Sequence, residues 1–119
     1  MQESFKERRK YPRVSLPIPL RYKELNGKTY LAKGTLSKDV SAGGVRFHSD
    51  KFITLACHLV VEMNFPSMEK PIKAISKIAW IKKARFGDSY ELGNQFLAMT
   101  NEDEAAMSKF MEENEAQAV

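Results

Sequence analysis

The chain is 119 residues long with 43% hydrophobic and 29% charged residues, which suits one folded domain and excludes a disordered tail. Its single cysteine, Cys57, excludes an internal disulfide and fits a reducing compartment. No apolar run nears the roughly 20 residues that cross a bilayer, and Met1-Gln2-Glu3-Ser4-Phe5 lacks the apolar stretch of a secretory signal. A cytoplasmic protein with no membrane insertion is therefore expected.

The net charge of +4 is unevenly placed. Lys6, Arg8, Arg9, Lys10 and Arg13 crowd the front of the chain, whereas acids dominate from Glu102 to Glu115. A basic head suggests an anionic partner there. Residues 1–13 have little apolar periodicity, and Pro12 disfavours helix at Tyr11. They read as a flexible basic segment, and 14–119 as a single domain.

That domain reads as strands joined by turns. Pro17 to Tyr22 alternates before Asn26-Gly27, a two-residue hairpin signal because both positions tolerate positive φ. Thr29 to Leu36 is the return strand and Val45-Arg46-Phe47 a short strand after a glycine pair. His58 to Phe65 and Ile72 to Ile81 follow. In the latter, Ile72, Ala74, Ser76, Ile78 and Trp80 share one face at a period of two. Tyr90 to Met99 closes the series. The expected fold is mainly β, a six-stranded antiparallel barrel, since closure leaves few exposed edges.

After Thr100 the period changes. Asn101 and Glu104 resemble a capping box, the nearby acids favour a helix N-terminus, and Ala106, Met107, Phe110 and Met111 form one apolar stripe. A short C-terminal α-helix packed on the barrel is predicted.

Two segments carry chemistry. Arg9 and Arg13 form an R-x-x-x-R pair within Arg8-Arg9-Lys10-Tyr11-Pro12-Arg13. Asp39-Val40-Ser41-Ala42-Gly43-Gly44 is a D-x-S-x-x-G pattern between two predicted strands. Arginine forks bind phosphate bidentately, stack on rings and read the O6/N7 edge of guanine. Asp39 offers a carboxylate to guanine's N1–H and N2–H₂, Ser41 adds a hydroxyl, and Gly43 and Gly44 let backbone approach a ligand. These groups suit a guanine nucleotide with phosphate. Singly, each segment has an ordinary reading: a solvated basic stretch, and an Asx-turn with glycines placed for geometry. Both together, in this order, arise by chance in roughly one such chain in a hundred.

These residues resemble the PilZ domain, the bacterial cyclic di-GMP receptor module. The resemblance runs from Arg8 to Val14 and from Asp39 to Val45. It also takes in Trp80 on a late strand, Leu92-Gly93-Asn94-Gln95-Phe96 and the terminal helix. It implies a PilZ-type barrel in which Arg9, Arg13, Asp39, Ser41 and Gly44 surround the dinucleotide. Asn94-Gln95 departs from the family's pattern, which more often has an apolar residue there. Arg8, beside the pair, is expected to stack on a second nucleotide, and Gly43 to join the ligand-binding set. The expected output is second-messenger signalling through an effector protein in trans or through a homodimer, since no second domain is attached.

Other chemistry is not supported. His48 and His58 lack metal-ligand spacing with Cys57, and Ser41 lies in no nucleophile motif. Gly43-Gly44 is no phosphate-binding P-loop, and Trp80 reads as core. No enzyme, metal or cofactor is expected. The rival readings are a basic β-barrel that binds nucleic acid and a PilZ-type adaptor that binds no ligand. A nucleic-acid barrel would display several exposed aromatics for stacking. Phe47, Phe65 and Trp80 read instead as interior, so no DNA partner is expected.

Overall fold

The computed structural model describes residues 13–25, 33–85 and 87–114. Its strands are β1 (Pro19–Glu24), β2 (Lys33–Ser41), β3 (Gly44–Ser49), β4 (His58–Met63), β5 (Ile72–Lys83) and β6 (Tyr90–Ala98), followed by the helix α1 (Asn101–Glu113). The strands close into a barrel in the order β1-β2-β3-β6-β5-β4. All pairings are antiparallel, and β4 returns to β1 from Leu20↔Met63 to Glu24↔Leu59. Closure satisfies every strand by a neighbour. The predicted Asn26-Gly27 hairpin, and Thr29 to Ala32 of the return strand, lie outside the described residues. β2 continues past the predicted Leu36 to Ser41, so Asp39 and Ser41 sit in a strand rather than in a connection.

The period-two pattern fills the barrel. Phe47, Leu59, Val61, Met63 and Leu92 are wholly buried, joined by Ile18, Leu20, Val40 and Ile72. Tyr22 leans on Phe47 at 4.8 Å between ring centroids and donates its hydroxyl to Ser49 Oγ at 2.8 Å. Ahead of β1, Val14 forms a two-way backbone bridge with Val40, at 2.8 and 3.0 Å. The Ser37 hydroxyl ties the same approach down by accepting from Ile18 N–H at 2.8 Å and donating to Leu16 O at 2.9 Å.

Among the described residues, three register shifts interrupt the ladder. Between Ser37↔Phe47 and Asp39↔Arg46, Lys38 is an extra residue on β2. Between Ile78↔Asn94 and Trp80↔Gly93, Ala79 is extra on β5, and between Ile75↔Ala98 and Ser76↔Phe96, Leu97 is extra on β6. A bulge of this kind turns the next side chain to the opposite face. It corrects the reading of Trp80 as core. Ile72, Ala74, Ser76 and Ile78 do line the interior, but after Ala79 the phase reverses and Trp80 is 37% exposed.

The departure at Asn94 has a cost. Its side chain is buried opposite Ile78, accepts weakly from the Ser76 hydroxyl at 3.3 Å, and leaves Nδ2 without a partner. An unpaired buried amide of this kind costs about 1–3 kcal/mol.

The helix packs Met107, Phe110 and Met111 onto the barrel, with Phe110 4.6 Å from Phe65. Its N-cap is Thr100, one residue before the predicted Asn101. Thr100 Oγ1 accepts from Asp103 N–H at 3.0 Å. Threonine and asparagine are similar caps, so the sequence does not separate them; the extended backbone leaving β6 does. Among the described residues, no helix is long and apolar enough to cross a membrane.

Candidate functional site

Asp39-Val40-Ser41-Ala42-Gly43-Gly44 forms a hairpin. Ser41 pairs with Gly44 across the two-residue turn Ala42-Gly43, and Ser41 Oγ accepts from Gly43 N–H at 3.1 Å. The Gly43 carbonyl accepts from Phe96 N–H at 3.0 Å. Both backbone polar groups of Gly43 are thus engaged by the fold, whereas the Ser41 hydroxyl keeps its proton to donate. Gly44 is needed for closure, because a Cβ there would overlap the carbonyl oxygen of Asn94 on β6.

The bulges at Lys38 and Ala79 bring one row of residues onto the outer face. Asp39 pairs with Arg46, Arg46 with Gly93 and Gly93 with Trp80, across β2, β3, β6 and β5. A parallel row runs Ser41, Gly44, Gln95, Lys77. With two glycines in the middle, the rows enclose a shallow open trough that Arg13 also lines. Arg13 arrives there because the Val14–Val40 bridge sets it beside the end of β2.

The electrostatics centre on Arg46. Its Nε donates to both Asp39 oxygens, at 3.1 and 2.9 Å, and its Nη2 donates to Oδ2. These bonds to Asp39 raise the Arg46 pKa, outweighing the opposite effect of burial. Glu91 also faces Arg46, at 3.5 Å, and collects Lys38 at 3.3 Å and Lys82 at 3.9 Å. The carboxylates are well covered, with side-chain exposures of 7% for Asp39 and 5% for Glu91, while Arg46 keeps 28%. The trough therefore presents guanidinium rather than carboxylate, an anion-accepting surface with a planar fork fixed in place.

Of the candidate residues, Arg13, Asp39, Ser41, Gly43 and Gly44 come together on this trough; Arg8 and Arg9 lie outside the described residues. Sequence reasoning missed Arg46, Trp80 and Gly93. The signal for Arg46 was its place in Val45-Arg46-Phe47, where a strand with two apolar inner neighbours must turn it outward. No comparable signal marked Trp80, because a bulge leaves the alternation unbroken in the sequence.

Among the described residues, the trough offers binding groups and no reacting pair. Burial, with Glu24 adding to it, raises the Cys57 thiol, which disfavours thiolate chemistry at neutral pH. Among the described residues there is no group of three His, Cys, Asp or Glu side chains that could hold a metal ion.

A family model described as the PilZ domain matches residues 7–113. No curated protein matches the chain. Among solved structures, the chain is similar to the Bacillus subtilis inhibitor of motility, MotI/DgrA, with a TM-score of 0.75 and 18% identity. That match covers 92% of this chain and 51% of the other. The PilZ domain of YcgR from Escherichia coli, solved with c-di-GMP, superposes with a TM-score of 0.68 and 18% identity over 92% of each chain. Longer YcgR from the same organism, also in complex with c-di-GMP, gives 0.71 and 17% over 92% of this chain and 46% of that one. The chain thus spans about half the length of MotI/DgrA and of the longer YcgR. At these identities the likeness shows the fold.

Proposed function

Because the chain belongs to the PilZ domain family, we propose that it is a receptor or adaptor domain that binds cyclic di-GMP on the trough between β2, β3, β5 and β6. One observation carries the reading: the Val14–Val40 bridge and the bulge at Lys38 bring Arg13 and the Asp39–Arg46 pair to the same open surface. The arginines address phosphate and the guanine edge, and Ser41 donates its hydroxyl. In this reading Arg8 and Arg9, which lie outside the described residues, would add to the same site. The YcgR domain with the same fold was solved with this ligand, which supports the choice of dinucleotide.

The described wall is too shallow to enclose a ligand of that size. In this reading binding draws the residues ahead of Arg13 against the barrel, and the ordered segment is the surface an effector protein reads in trans. A homodimer is the alternative output. Charge supports this mechanism: the phosphates of the proposed ligand would supply countercharge to the basic head.

One observation favours the rival adaptor that binds no ligand. Asp39 is already occupied by Arg46, so reading a guanine edge requires it to share or release that partner. Calorimetric titration decides between the two. Cyclic di-GMP is expected to bind near micromolar, roughly −8 kcal/mol, with GMP and cyclic di-AMP much weaker. Arg13→Ala should cost about 2 kcal/mol, roughly thirtyfold in affinity, without lowering the melting temperature, since Arg13 is exposed. Absence of heat with cyclic di-GMP would leave the adaptor reading standing.

A further inference from the structure

Trp80 is the chain's only tryptophan, and the barrel places it on the trough wall rather than in the core. Its predecessors on the inner face, Ile72, Ala74, Ser76 and Ile78, are at most 3% exposed, whereas Trp80 is 37% exposed. The extra residue Ala79 causes the difference. The indole lies down on β6 at Gly93, where any Cβ would overlap its Cε2, Nε1 and Cζ2 atoms. Gly93 is thus the floor that lets the ring lie low against the sheet. In the same row Gly93 pairs with Arg46, whose guanidinium is clamped by Asp39. Lys82 is the ring's cationic neighbour, 5.9 Å from its centroid, but its side chain is 67% exposed and it also faces Glu91.

We infer that Trp80, laid on Gly93, is a stacking platform for one purine base of the ligand, with the clamped Arg46 beside it in the same row. The inference rests on the proposed cyclic di-GMP reading and adds a subsite to it. An indole beside a fixed guanidinium matches what a nucleobase uses, a π-face and polar edge partners. The bland alternative is that Trp80 only shields the backbone of β6. That role concerns stability, so affinity and stability separate the two.

The experiment starts from the wild-type chain, whose emission comes from this one indole. Titration with cyclic di-GMP, followed by fluorescence and calorimetry together, should quench or shift the emission with the midpoint of the heat. Trp80→Leu, checked by circular dichroism and thermal melting, should bind about ten- to a hundredfold more weakly, the usual worth of one stacked base. Trp80→Phe, which keeps a ring, should recover most of that loss. If the wild type gives binding heat but its emission does not change, the subsite is wrong. Wild-type affinity in a folded Trp80→Leu overturns it equally. If the wild type gives no binding heat, the cyclic di-GMP reading has failed and the subsite falls with it.

Discussion

Asp39 and Arg46 share one ion pair but not one degree of burial, and the difference predicts an asymmetry. Removing Arg46 strands a carboxylate whose side chain is 7% exposed, while removing Asp39 leaves a guanidinium that is 28% exposed and still faces Glu91. An unpaired buried charge costs about 3–5 kcal/mol, whereas a charge that can reach water or a second partner costs far less. Arg46→Ala should therefore lower stability by about 3 kcal/mol. Asp39→Ala should cost about 1 kcal/mol. Urea unfolding of the two variants checks this, and equal losses would mean that neither Glu91 nor water compensates the stranded arginine. Asp39 stood out in the sequence as a candidate site residue, because the D-x-S-x-x-G pattern is compact. Its partner was not. Arg46 lies seven residues on, and only the hairpin folds the two together.

At the scale of the element, the strands were legible wherever one face is apolar and the ladder regular. His58 to Phe65 and Tyr90 to Met99 are recovered nearly to their ends as β4 and β6. What stayed hidden was phase. Lys38, Ala79 and Leu97 are ordinary residues whose role is to be one too many, and nothing in their side chains announces it. Gly44 shows the reverse difficulty, since a residue that looks functional has a packing duty. A methyl group there would meet the Asn94 carbonyl, which belongs to the backbone and cannot rotate aside. Gly44→Ala should destabilise the domain by about 2–3 kcal/mol, a fall of roughly 10 °C or more in melting temperature. Binding should weaken in parallel as β3 and β6 part. A variant that kept its melting temperature but lost the ligand would restore Gly44 to a direct contact.

For the molecule as a whole, the relation between the basic head and the barrel decides how a signal could leave the site. Val14 is buried and doubly bonded to Val40, so the boundary of any ordering transition lies just ahead of it. Ordering each residue costs about 1–2 kcal/mol in backbone entropy. In the proposed scheme that cost would subtract from the contact energy, and the ordering would give the bound state a surface that the free state lacks. Hydrogen exchange with and without cyclic di-GMP tests the scheme. Amides from Phe5 to Arg13 should slow on binding, while Val14 and Val60 stay protected in both states. Equal protection of the head in both states would exclude ordering as the signal and point to self-association instead.

The bulges also bear on how such a site can change over time. Lys38 and Ala79 are exposed and could each accept many side chains, so a comparison of related chains would find little preference for any residue at either place. Deleting either one would leave the flanking pairs consecutive, so Asp39 would still meet Arg46 and Trp80 would still meet Gly93 on the outer face, in a regular ladder without the bulge's added twist. Substitution can tune this surface one group at a time. Loss of a bulge residue would spare the pairing and change only the local twist of the trough wall.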